Sequence, residues 1–148
     1  MNRCLRERSS REAEAYRGVR TVLFFGRLRD HGVTILVTSP GSLDGKTTFV
    51  SNLGIAMAQA GQKTLVLDAD LRKPTLHRLL RANKEGPGLT DVLAGRADLA
   101  EAIRSTEILN LDILPSGSDS LQPSEALHSG AFTQLLAELR QRYDRILI

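Results

Sequence analysis

Apolar residues in the first half of the chain change their spacing twice. Residues 33–37, Val-Thr-Ile-Leu-Val, form a β-branched apolar run of strand length. Apolar residues then recur at helical spacing from Phe49 to Ala60, and Gly61 supplies a stop signal for that helix. A second apolar run, 63–68, follows directly. This order predicts a unit of strand, loop, helix and strand.

The rest of the pattern predicts helices and strands on both sides of this unit, which occupies 32–70. An amphipathic helix is predicted over 11–29, with Tyr16, Val19, Val22 and Leu23 on its apolar side. Further predicted elements are helices over 74–80, 89–93, 99–103 and 131–142, strands over 109–114 and 143–148, and a loop over 122–125. We therefore predict an α/β fold with a doubly wound, mostly parallel sheet. One domain is expected over 11–148, after a flexible segment, 1–10.

The loop between the first strand and its helix has the residues of a phosphate-binding loop. Residues 38–48 are Thr-Ser-Pro-Gly-Ser-Leu-Asp-Gly-Lys-Thr-Thr, close to the P-loop pattern G-x-x-x-x-G-K-[ST] but with Pro40 in the first glycine's place. Backbone N–H groups at a helix N-terminus favour bound phosphate. Lys46 would reach the β- and γ-phosphates, and the Thr47 hydroxyl would ligate Mg²⁺. The alternative is an ordinary strand–helix turn that carries a lysine. The predicted cofactor-binding residues are Gly41, Ser42, Asp44, Gly45, Lys46, Thr47 and Thr48.

Two acidic residues follow the second predicted strand. In parallel α/β sheets a ligand lies beyond the carboxyl ends of the strands, so Asp68 and Asp70 would face the same crevice as Lys46 and Thr47. Carboxylates there can hold Mg²⁺ or its waters, and one can accept a proton from a hydroxyl nucleophile. We therefore predict that Thr47, Asp68 and Asp70 bind the metal. The alternative is that Asp68 caps a helix that begins near Pro74, and that Asp70 is only solvated.

Composition and charge limit the partners and the cellular compartment that we expect for the protein. The net charge of +3 is uneven, because residues 1–30 carry eight arginines and four acidic residues. Such a segment can contact nucleic acid, an anionic membrane or an acidic subunit, and a solvated helix face is the simpler alternative. The single cysteine, Cys4, argues against a disulfide framework or a zinc site. No apolar run approaches the roughly 20 residues that span a bilayer, and no signal peptide opens the chain, so we expect a cytoplasmic protein.

Three blocks of sequence together resemble the bacterial tyrosine kinases (BY-kinases) of capsule and exopolysaccharide assembly. The first is the P-loop, or Walker A block, over 38–48, where this family often lacks a glycine at the position of Pro40. The second is Leu-Val-Leu-Asp-Ala-Asp-Leu-Arg-Lys-Pro over 65–74, which is similar to the family's Walker A′ block. The third is Glu14-x-x-Arg17-x-x-Arg20, similar to the motif through which these kinases form rings. Weaker similarities are His77, 88–93 and 123–127.

The resemblance implies a P-loop NTPase-like fold, ATP and Mg²⁺ as cofactors, and phosphorylation of protein tyrosine on its own kind, in the control of polysaccharide polymerisation or export. By this resemblance the catalytic residues are Lys46, Asp68 and Asp70. Asp68 would face the attacking phenol and Asp70 would position Mg²⁺, although their roles could be exchanged. The implied partners are further copies of the chain, in a ring formed through Glu14, Arg17 and Arg20, and a membrane-spanning co-polymerase or adaptor. That adaptor would bring the domain to the inner face of the plasma membrane, and no nucleic acid is expected as a partner.

Some positions depart from the family pattern. In these kinases a strand like 143–148 is followed by the Walker B aspartate, which this sequence does not reach, and Tyr16 and Tyr143 are its only tyrosines. We therefore expect an incomplete kinase domain with weak catalysis. Related septum-placement and plasmid-partition ATPases carry a lysine where this chain has Gly41, which favours the kinase. The alternatives are a partition-type ATPase and a non-catalytic nucleotide-binding fragment.

Overall fold

Five strands form one sheet with helices on both of its faces. The computed structural model describes residues 10–25, 32–41, 43–83, 85–118 and 123–148. The helices are α1 (Arg11–Phe25), α2 (Lys46–Ala58), α3 (Leu76–Leu79), α4 (Leu89–Leu93), α5 (Leu99–Ala102), α6 (Pro123–His128) and α7 (Gly130–Arg142). The strands are β1 (Val33–Ile35), β2 (Thr64–Leu67), β3 (Arg104–Ser105), β4 (Leu111–Leu114) and β5 (Arg145–Leu147).

The strand order is β1-β5-β2-β4-β3, and all neighbours are parallel except β3, which is antiparallel to β4. Successive residues of the central strands point to opposite faces, as a pleated strand requires. In β2, Val66 belongs to the core shared with α1 and α2, whereas Leu65 and Leu67 belong to the core shared with α4 and α7. The two cores confirm the predicted doubly wound, mostly parallel sheet.

Helix α2 packs closely on the sheet because Gly54 faces it. A Cβ atom at this position would lie 2.7 Å from Val66 Cγ2, which is closer than two carbon atoms can pack. Helix α1 covers the outer side of α2, where the rings of Tyr16 and Phe49 lie 5.7 Å apart between centroids. The close packing of α2 fixes its first turn, and therefore the P-loop, against the carboxyl ends of the central strands.

Most predicted elements are present, and three details are wrong. Val22 is 74% exposed, because it is displaced by about 100° of helix rotation from Leu23 and so lies off the apolar stripe of α1. Helix α6 was not predicted: it begins inside the loop predicted over 122–125, with proline in the first helical position, where its missing N–H costs nothing. The short strand β3 was not predicted.

Two further predictions lie partly beyond the described residues. The end of the helix predicted over 11–29, from residue 26 onward, falls outside them, and so does the flexible segment predicted over 1–10 except for its last residue. Within the described part of the chain, no helix combines the length and the apolar character needed to cross a membrane.

Candidate nucleotide-binding site

The P-loop connects β1 to α2 through a left-handed turn. Gly45 is the N-cap of α2 and has φ of 89°, a conformation that glycine adopts without the steric penalty of a side chain. A Cβ atom there would meet nothing within 4 Å, so the cap is open on its outer side. The first N–H groups of α2 have no helical partner and carry the positive end of the helix dipole. The loop therefore has the backbone geometry of an anion site.

Lys46 supplies a positive charge at this cap. Its Nζ donates to Ser39 Oγ and to the carbonyl oxygen of Gly41, both at 2.8 Å. These acceptors are neutral, and no ion pair to Lys46 occurs among the residues that the structure describes. A lysine held by neutral oxygen atoms keeps its charge available for an anionic ligand.

A cavity of about 360 Å³ opens beside the P-loop, at the carboxyl ends of β1, β2 and β5. It brings together four of the predicted site residues: Lys46, Thr47, Asp68 and Asp70. Its remaining lining is mostly apolar and comprises Leu36, Val37, Thr38, Val50, Leu67, Ala69, Leu76 and Ile148. Sequence reasoning did not identify this lining, although Thr38 and Ala69 directly follow predicted strands, which is where the sheet topology places a ligand.

Asp68 is a buried carboxylate at the end of β2, and only 5% of the residue is exposed. Burial raises its pKa to about 6, although backbone N–H groups of Leu76 and Asp70 oppose the shift. Leu76 N–H donates to Oδ2 at 3.1 Å, and Asp70 N–H donates to Oδ1 at 3.3 Å. Asp68 thus caps the first residue of α3, as the alternative interpretation of the sequence held, and it also lines the cavity.

Asp70 lies at the same cavity but is exposed. Its Oδ1 accepts hydrogen bonds from the backbone N–H groups of Arg72, at 3.3 Å, and Lys73, at 3.0 Å. These bonds fix the turn after β2 and leave Oδ2 available. One buried and one exposed carboxylate therefore face the P-loop lysine across a single cavity.

The other predicted cofactor-binding residues lie elsewhere on the loop. Gly41, Asp44, Gly45 and Thr48 are not part of the cavity lining, and Asp44 and Thr48 are exposed. Ser42 lies outside the described residues. Thr48 is the third residue of α2 and lies in its first turn, so its N–H is at the N-terminal end of the helix even though the residue is exposed.

The residues present fit a Mg²⁺-nucleotide. Magnesium in nucleotide sites is held by one or two carboxylates or hydroxyls together with phosphate oxygens and waters, so it does not need a complete set of protein ligands. Thr47, Asp68 and Asp70 line one cavity and could provide such a partial set. In the described part of the chain no group of three or more His, Cys, Asp or Glu residues forms a metal site on its own.

The residues of the predicted ring motif lie on α1, away from this cavity. Arg17 donates to Glu14 Oε2 from Nε at 2.9 Å and from Nη2 at 2.6 Å. Arg20 Nη1 donates to the carbonyl oxygen of Ala56, near the C-terminal end of α2, at 3.1 Å. Both arginines border a second cavity of about 810 Å³, which also includes the exposed Leu109. The motif is therefore engaged in contacts within the chain.

Comparison with known proteins identifies the family. Residues 37–148 match the protein family described as AAA domain. The chain belongs to this family. This AAA domain is 37% identical to the tyrosine-protein kinase Wzc of Salmonella typhi over 135 residues, which are 91% of the chain and 19% of Wzc. It is 34% identical to the tyrosine-protein kinase YwqD of Bacillus subtilis over 141 residues, which are 95% of the chain and 59% of YwqD.

Solved structures give the same relationship. The AAA domain matches the kinase domain of the Escherichia coli tyrosine kinase ETK with a TM-score of 0.90 and 30% identity, over 99% of this chain and 57% of that one. It matches the septum site-determining protein MinD of Pyrococcus horikoshii, complexed with Mg-ADP, with a TM-score of 0.68 and 34% identity, over 78% and 47% of the two chains. The predicted P-loop NTPase fold and the resemblance to bacterial tyrosine kinases are confirmed. The chain spans 59% or less of the length of Wzc and YwqD.

Proposed function

We propose that this AAA domain is the ATP-binding part of a bacterial protein-tyrosine kinase that phosphorylates its own kind and regulates polysaccharide polymerisation or export. The observation that carries the proposal is the meeting of Lys46, Thr47, Asp68 and Asp70 at one cavity beyond the parallel strands. The kinase assignment rests on the relatives named above, and the polysaccharide role rests on the family resemblance.

Each residue has a role that suits its surroundings. Bound Mg-ATP supplies the phosphoryl group, and phosphoryl transfer depends mainly on positioning and on electrostatic stabilisation. Lys46 would stabilise negative charge on the phosphates, and Thr47 and Asp70 would hold Mg²⁺. Asp68 would accept the proton of the attacking phenol, because a carboxylate whose pKa is raised to about 6 is a stronger base than an exposed one.

The first test removes the lysine charge. Lys46→Ala should abolish measurable binding of Mg-ADP in titration calorimetry while the protein keeps its circular dichroism spectrum, because the loop loses its only side-chain cation at the phosphate site. Lys63→Ala is the matched control, since Lys63 precedes the N-terminal end of β2, away from the cavity, and its Nζ lies 5.1 Å from the centre of the Tyr143 ring. Equal affinity in the wild type and in Lys46→Ala would refute the site.

A partition-type ATPase is the second candidate, and the similarity to MinD is the observation that favours it. The two reactions differ in where the phosphoryl group goes: to a tyrosine hydroxyl or to water. An anti-phosphotyrosine blot beside a phosphate-release assay, both with Mg-ATP and a cognate membrane adaptor, separates them. Phosphate release without phosphotyrosine selects the ATPase, and neither signal selects a non-catalytic nucleotide-binding domain.

We also propose that α1 mediates assembly into a ring, with a membrane-spanning adaptor holding the ring at the inner face of the plasma membrane. Glu14 and Arg17 form an ion pair on the outer side of α1, where the carboxylate side chain is 74% exposed. Arginine forks bind carboxylates in two-point contacts, and head-to-tail contacts of this kind close into rings. The exchange of this intrahelical pair for a contact with a neighbour requires little free energy, because such pairs contribute only about 0.2–0.5 kcal/mol.

Light scattering tests this assembly. The wild type with Mg-ATP should form larger particles than the double variant Arg17→Ala, Arg20→Ala. The control is Arg78→Ala, Arg142→Ala, which removes two exposed helical arginines elsewhere. A wild type that stays monomeric at high concentration, or a control that dissociates equally, would leave the motif without this role.

A further inference from the structure

Both backbone groups of Gly41 are bound within the P-loop itself. Its N–H donates to Asp44 Oδ2 at 2.9 Å. Its carbonyl oxygen accepts from Lys46 Nζ at 2.8 Å and from Ser39 Oγ at 3.0 Å. In a P-loop, loop N–H groups and the lysine ammonium are the donors that bind phosphate. Here the Gly41 N–H and the Lys46 ammonium already donate to other atoms of the same loop.

The bond to Asp44 joins a loop N–H to an anionic oxygen atom. An anionic carboxylate oxygen accepts from a loop N–H, as a phosphate oxygen would. The approach also depends on glycine, because a Cβ atom at Gly41 would lie 2.9 Å from Asp44 Oδ1 and 3.0 Å from Oδ2. The carboxylate is exposed, and no ion pair involves it in the described ranges of the chain. Its bond to Gly41 is therefore not a by-product of a stronger contact elsewhere.

We propose that Asp44 competes with the nucleotide phosphates for the P-loop, as an internal latch that occupies a loop N–H group. This inference rests on the proposed function, since it concerns the same phosphate site. Before a phosphate can bind, the Gly41 N–H must leave Asp44 and the Lys46 ammonium must leave the Gly41 carbonyl. The latch therefore lowers nucleotide affinity, and its removal should raise that affinity. Asp44 then opposes phosphate binding, whereas the sequence predicted that it supports it.

Three substitutions at one position separate the latch from simple charge repulsion. Asp44→Ala removes the charge and the acceptor, Asp44→Asn removes the charge but keeps an acceptor oxygen, and Asp44→Glu keeps the charge but moves the acceptor by one methylene. Titration calorimetry with Mg-ADP should give about tenfold tighter binding for Asp44→Ala, which corresponds to about 1.4 kcal/mol. Asp44→Glu should also bind more tightly than the wild type, and Asp44→Asn should fall between the wild type and Asp44→Ala.

The control is Asp98→Asn, which makes the same charge change at an exposed residue whose side chain does not cap α5. It should leave the affinity unchanged. A second measurement needs no nucleotide: amide hydrogen exchange, read by NMR, should be faster at Gly41 in Asp44→Ala than in the wild type, because the N–H loses its acceptor.

The outcomes separate this proposal from the function on which it rests. If the wild type binds Mg-ADP and Asp44→Ala binds it equally or more weakly, the latch is refuted and the nucleotide site stands. If Asp44→Glu matches the wild type while Asp44→Ala binds more tightly, charge alone acts and the latch is again refuted. If none of the proteins binds Mg-ADP, the nucleotide site itself is refuted, and the latch with it.

Discussion

Replacement of Asp68 by asparagine should stabilise the fold at neutral pH, although Asp68 lines the proposed active site. The carboxylate is 5% exposed, and burial raises its pKa from 3.8 to about 6, against the opposing effect of hydrogen bonds from Leu76 and Asp70. Its charged form is therefore less favourable in the folded protein than in the unfolded chain. A side chain that is never charged avoids this penalty.

The direction and the size of this change in stability follow from proton linkage. Between about pH 4 and pH 6 the folded protein binds the proton at Asp68 more tightly than the unfolded chain does, so this contribution to stability falls as the pH rises through that window. The rise of the Asp68 pKa from 3.8 to about 6 corresponds to about 3 kcal/mol. Asparagine can still accept the hydrogen bond from Leu76 N–H through its oxygen, but its NH₂ group then faces the N–H of Asp70 and the second bond is lost. The loss of that hydrogen bond offsets about 1 kcal/mol of the gain in stability. We therefore expect a net gain of about 2 kcal/mol at pH 8.

Urea unfolding of the wild type and Asp68→Asn at pH 4 and pH 8 measures this effect. The variant should be more stable at pH 8, and its advantage should vanish at pH 4. Asp70→Asn is the matched control, because that carboxylate is exposed and asparagine keeps its acceptor for the Arg72 and Lys73 N–H groups. An Asp68→Asn protein that is less stable at pH 8, or that has the same difference at both pH values, would refute the reasoning.

Gly88→Ala, with Gly130→Ala as its control, and Tyr143→Phe test two further contacts by urea unfolding. Gly88→Ala should destabilise the protein by about 3 kcal/mol or more, because a Cβ atom would lie 2.3 Å from the Gly117 nitrogen and 2.5 Å from the Pro115 oxygen. Gly130→Ala, which meets nothing within 4 Å, should be close to neutral, and equal effects would contradict the steric explanation. Tyr143→Phe should cost about 1 kcal/mol, since the hydroxyl donates to Asp112 Oδ2 at 2.8 Å. It should not change Mg-ADP affinity, because Tyr143 precedes β5 whereas the cavity lies beyond the end of that strand; a loss of binding would show that the two ends of the sheet are coupled.

The elements that the sequence predicted well are those whose apolar pattern is set by burial. Helix α2 and strand β2 pack against the central sheet, so their apolar residues recur at the helical and strand spacings. Strand β3 has only two residues and exists because Arg104 and Ser105 pair with β4. A two-residue segment carries no detectable periodicity, and a partner strand cannot be read from local sequence. Helix α6 was missed for another reason: proline is common both in loops and in the first turn of a helix.

The polar part of the site was predictable, and the shape of its cavity was not. A motif identifies Lys46 and Thr47, and a strand end identifies Asp68 and Asp70. Because ligands of parallel sheets lie beyond the carboxyl ends of the strands, all four are expected at one site. The cavity wall depends on side chains from separate parts of the chain, such as Leu36 after β1 and Ile148 after β5. Their proximity comes from the order of the strands, with β5 between β1 and β2, and this order is not encoded in any short segment.

The charged residues of α1 illustrate why spacing alone cannot assign an interface. Glu14, Arg17 and Arg20 recur every three residues, so they form a slowly drifting stripe around the helix. By the third member the stripe has turned toward α2, where Arg20 binds the Ala56 carbonyl, whereas Glu14 and Arg17 pair on the outer side. Arg20 thus fixes α1 on its own domain, and the Glu14–Arg17 pair is what remains for a neighbour to engage. A loss of assembly in the double variant therefore has two physical routes, and unchanged stability in urea would assign the loss to the interface and not to a displaced helix.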